Sequence, residues 1–214
     1  MGADTAIIMQ SHFDLDKPEE VIEYFTKQFD VTFADRWLTF VSDVYKAERR
    51  PVKYLEVEYY KTHTCWQEFF AEFGFLRFGG NHMGMIVSRG SIMVHPLFRF
   101  GYFADDKGMF DEICRIARSF ITQLKLPEAI IIPDEPISFA ASILGSSDPR
   151  LENDPNLHSL DQFYRDHIFK PGEYGVIKDF FKSTYGEGIT EQAVLSERGG
   201  QGYVVVVNPS VSLS

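Results

Sequence analysis

Two arginines sit among aromatic residues in matching frames, Arg77 in the run 75–80 (FLRFGG) and Arg99 in the run 97–102 (LFRFGY). A guanidinium presents five N–H donors in a rigid fork, so a pair projecting from neighbouring strands can clamp a carboxylate or a phosphate. Between them, Gly79-Gly80-Asn81-His82-Met83-Gly84 carries glycines of the kind that open backbone N–H groups to an anion, and Asn81 and His82 add side-chain donors. The run has no lysine and precedes a strand pattern instead of a helix, which argues against a nucleotide phosphate loop and for a turn between strands. Arg77, Asn81, His82 and Arg99 are therefore the candidate ligand contacts. The commoner use of such arginines is to extend from a solvated sheet face or pair with a surface carboxylate.

Other chemistry-bearing residues give less. His63 and Cys65 are one residue apart. Two ligands cannot close a zinc site, but a thiolate activated by His63, His82 or His95 is a possible nucleophile, so Cys65 and His63 are the catalytic candidates. His12, Asp14 and Asp16 alternate in HFDLD, as oxygen ligands of a hard cation can, although Asp16 is equally suited to cap the helix that follows. His158 and His167 are half a turn out of phase on one helix and cannot share a ligand. The serine-hydrolase elbow, the zinc-protease helix, the Walker loop, the EF-hand and the paired-cysteine motif are all missing. No metal or cofactor is assigned.

The elements that must position these residues can be read from periodicity. A strand is predicted at 6–10, then a helix over about 17–29, with Asp16 as N-cap and Val21, Ile22, Phe25 and Phe29 on its inner face. Trp37, Phe40, Val41, Val44 and Tyr45 repeat at helical spacing and predict a second helix from Asp35, ended by Pro51. Residues 52–60 alternate as a strand, and Thr62 or Thr64 can cap a short helix to about Phe73. Met85–Val87 and Ile92–Val94 predict a hairpin in which Gly90 supplies a positive φ, and the pattern resumes after Pro96 with Phe98, Phe100 and Tyr102 on one face.

A long helix over about 107–125 carries the stripe Phe110, Ile113, Cys114, Ala117, Phe120, Ile121 and Leu124, capped by Asp105 or Asp106. Beyond it come a strand at 129–132, helices at 137–144, 157–169, 174–185 and 190–197, and a strand at 203–207 that is expected to pair into the sheet. The expected fold class is α+β. A mainly antiparallel sheet, with central strands at about 75–103 plus 52–60, 129–132 and 203–207, is covered by amphipathic helices in a single domain of residues 1–214, with a mobile loop or boundary at 145–156.

The formal charge of −10 on 214 residues repels phosphate backbones and anionic lipid, so neither nucleic acid nor membrane is an expected partner. Two cysteines in unlike surroundings do not make a disulfide scaffold, and no apolar run reaches the roughly 20 residues of a membrane span. A reduced cytoplasmic setting follows. The expected function is a soluble acidic, non-catalytic interaction module for a basic protein, resembling immunity and antitoxin-type inhibitors in size and charge. The alternative is a binder of small anionic ligands, or a hydrolase, with its site on the central sheet around Arg77, His82 and Arg99.

Overall fold

A computed structural model describes residues 5–33, 37–40, 60–63, 66–80, 83–96, 106–133, 172–190 and 202–211. In chain order the elements are β1 (Thr5–Gln10), α1 (Pro18–Gln28), β2 (Val31–Phe33), β3 (Trp37–Phe40), β4 (Tyr60–His63), α2 (Trp66–Phe73), β5 (Leu76–Gly80), β6 (Met83–Val87) and β7 (Ser91–Pro96). They continue with α3 (Lys107–Gln123), β8 (Glu128–Pro133), α4 (Tyr174–Tyr185), β9 (Ile189–Thr190) and β10 (Val204–Val207). Eight strands form one sheet in the order β2-β5-β6-β7-β1-β8-β10-β9, while β3 and β4 pair apart from it. Every described pairing is antiparallel except that of β10 with β9. The chain is thus α+β, as its patterning predicts.

Strand β1 runs through the middle, with Ile7 opposite Val94 of β7 and Ile131 of β8. Its residues Ala6 to Met9 are buried without alternation, because helices cover both faces of the sheet at this point. One face carries Ile7, Met9, Phe78, Met85, Val94 and Ile131 against α1 and α3. There the rings of Phe25 and Phe78 lie 5.4 Å apart, Phe29 stacks on Phe120 at 4.9 Å, and Trp66 of α2 meets Phe33 edge-on at 5.7 Å. The other face carries Ala6, Ile8, Met93, Ile130 and Ile132 against Tyr174, Ile177 and Phe181 of α4.

Local chemistry sets the ends of α3. The Asp106 side chain accepts from the Met109 N–H at 2.9 Å, satisfying one of the first-turn donors. At the other end Lys125 has φ 55°, the Leu126 N–H returns to Ile121 O at 2.8 Å and the Lys125 N–H to Thr122 O at 3.2 Å. This is a Schellman closure with lysine where glycine is usual. Asn208, just past β10, locks the same corner: its Nδ2 donates to Leu126 O at 3.0 Å and its backbone N–H to Pro127 O at 2.7 Å.

Four expectations need correction. Trp37–Phe40 is a strand paired with Tyr60–His63, so the helix predicted from Asp35 does not include these residues; pairing with a distant segment has overridden the local period. Asp16 does not cap α1. Lys17 holds the N-cap position without a side-chain bond, while the Asp16 carboxylate pairs with Arg89. Gly90 does not have positive φ. It is needed because a Cβ there would lie 2.6 Å from the Glu173 Cα, and its carbonyl accepts from both Ser11 N–H (3.3 Å) and Tyr174 N–H (3.1 Å). Thr190 lies in β9 and not in a helix.

The strand at 52–59, the segment 97–105, the helices at 137–144 and 157–169, the rest of that at 190–197 and the boundary at 145–156 lie outside the described residues. The predicted strand at 203–207 does pair into the sheet, between β8 and β9.

Candidate functional site

Alternation along β5 decides where Arg77 lies. Leu76 and Phe78 are in the core under α1 and α3, so Arg77 and Gly79 belong to the opposite face. Arg77 is paired with Ile86, Gly79 with Gly84, and Gly84 in turn with His95 of β7. A Cβ placed on Gly79 or Gly84 would meet no atom within 4 Å. Among the described residues, no side chain fills the face where these two glycines lie side by side, with Arg77 and Ile86 along one margin and His95 at the next strand.

Arg77 is half-buried, and burial pulls its pKa down from the usual guanidinium range to about 10. It remains a cation at neutral pH, but one with part of its hydration removed, a condition that strengthens its attraction for an anion.

Of the four ligand candidates, only Arg77 is among the described residues; Asn81, His82 and Arg99 lie outside them. Gly80 is paired with Met83; the turn expected at Asn81 and His82 falls on residues outside the described ones. Cys65 also lies outside the described residues, and His63 is placed on β4 opposite Trp37, in the two-stranded sheet and not in the main one. His158 and His167 lie outside as well.

Among the described residues no group of three or more His, Cys, Asp and Glu side chains is arranged to hold a metal. Asp14 accepts the Asp16 N–H at 2.9 Å and Asp16 pairs with Arg89, which accounts for the acidic part of the HFDLD run. Cys114 is buried in the core. No described helix is long and apolar enough to cross a membrane.

One polar cluster escaped the sequence reading. Glu128, at the start of β8, is 8% exposed and points to the α4 face. Its Oε1 accepts from the Tyr174 hydroxyl at 3.0 Å and from the Lys178 ammonium. Burial first, and the Glu128 charge second, raise the Tyr174 pKa, so the phenol stays protonated and serves as a donor. Tyr174 and Lys178 are four residues apart on α4, one turn of one face; that spacing was the available signal, but nothing local names Glu128 as their partner. The cluster fastens α4 to the sheet.

No protein-family model, no curated protein and no solved structure matches this chain. Its function has to be argued from its own surfaces.

Proposed function

We propose that this chain works by binding, as an acidic interaction module for a basic protein partner in a reducing, cytoplasmic setting, with no role for nucleic acid or lipid. The observation that carries the reading is the uneven placement of its charge. Around α1, Asp14, Asp16, Glu19, Glu20, Glu23 and Asp30 are all exposed, against Lys17, Lys27 and Arg89, which pair with Glu20, Glu23 and Asp16 and leave an acidic excess. A field of this sign steers a basic surface toward α1 and weakens with salt. The test is capture of partners from native lysate at low salt, with the chain and with a variant carrying Glu19→Lys, Glu20→Lys and Glu23→Lys. The reading expects a protein that the chain retains, that high salt releases and that the variant fails to hold. Capture insensitive to both would sink it.

A second reading has its own support in the glycine pair beside Arg77: a site for a small planar carboxylate or phosphate. Such a ligand at 100 times its dissociation constant would add about 2.7 kcal/mol to stability. A panel of aromatic carboxylates and phosphates should then include one that raises the melting temperature, and Arg77→Ala should abolish that rise. A panel without effect on the unaltered chain removes this reading and leaves the first untouched.

A further inference from the structure

We draw no further inference here: the strongest candidate beyond the surfaces already described, the buried cluster of Glu128, Tyr174 and Lys178 between β8 and α4, has its polar groups engaged with one another in fastening the helix to the sheet and shows nothing that would engage a ligand.

Discussion

The two faces of the sheet are closed in different ways. Under α1 and α3 a large apolar cluster runs from Val21 and Phe25 across Phe78, Val94 and Ile131 to Ile113 and Ile121, with the neutral amide of Asn208 held at the end of α3 but no buried charge among the described residues. Under α4 the apolar cluster is smaller, and beside it lies the carboxylate of Glu128 held by Tyr174 and Lys178. Apolar burial is strong but non-directional: it presses helices onto a sheet without fixing where along it they rest. A hydrogen-bonded charge in low dielectric does the reverse, giving little net stability and a well-defined position. The first face is thus the source of stability. The second uses a polar clamp, together with the close approach of Glu173 to Gly90, to hold a single helix in register.

That contrast can be broken by substitution. Phe25, fully buried between Phe13, Phe29 and Phe78, should cost about 3–5 kcal/mol on replacement by alanine, read as a shift in the urea midpoint at unchanged slope. A loss under about 1 kcal/mol would mean that the first face is not the main core.

Lys178→Met leaves the Glu128 carboxylate with Tyr174 alone and should cost about 1–3 kcal/mol, since Lys178 is itself partly exposed. The loss should be local. Amides of α4 are expected to exchange faster while those of β1 keep their protection, and adding Glu128→Leu should recover much of the stability. Uniform acceleration across β1 and α4 would show that the two faces open together.

The smallest effect concerns alkaline pH. The folded-state pKa of Tyr174 is raised above its ordinary 10.0, so the unfolded chain loses that proton first and stability falls as pH climbs past about 10. Arg77 acts with the opposite sign over the same range, because its folded-state pKa is lowered to about 10. Tyr174→Phe removes only the tyrosine contribution. It should cost about 1 kcal/mol near neutrality and make the decline above pH 10 shallower, as followed by denaturant titration at several pH values. An unchanged slope would mean that the Tyr174 pKa is not raised in the folded chain by burial and the Glu128 charge.

Legibility in the sequence follows the range of the deciding interaction. Helix α3 was readable almost to the residue, because its stripe and its Asp106 cap are local; of the stripe, all but Leu124 are buried. The hairpin of β6 and β7 was readable for the same reason. Residues 37–40 were not, since Trp37 and Phe40 satisfy a helical period while their pairing is with Tyr60–His63. Gly90 was correctly marked as special for the wrong reason, the right one being a neighbour, Glu173, that no local rule connects to it. At the site, the aromatic frame made Arg77 conspicuous, but the opposition of Gly79 to Gly84 depends on strand register and emerged only from the fold.

The place of β1 in the sheet bears on how the chain folds. Among the described strands, β2, β5, β6 and β7 form one series and β8, β10 and β9 another, and β1 alone joins them. The series β5-β6-β7 pairs neighbours in sequence, so its contacts close short loops and can form early. Strand β1 has no such neighbour. It stays without hydrogen-bonded partners until β7 and β8 have been made and two long loops have closed, a step opposed by chain entropy. Seating β1 joins two partial sheets into one at the cost of closing those loops, and before it is seated the apolar run from Ala6 to Met9 lacks the cover it has in the folded chain.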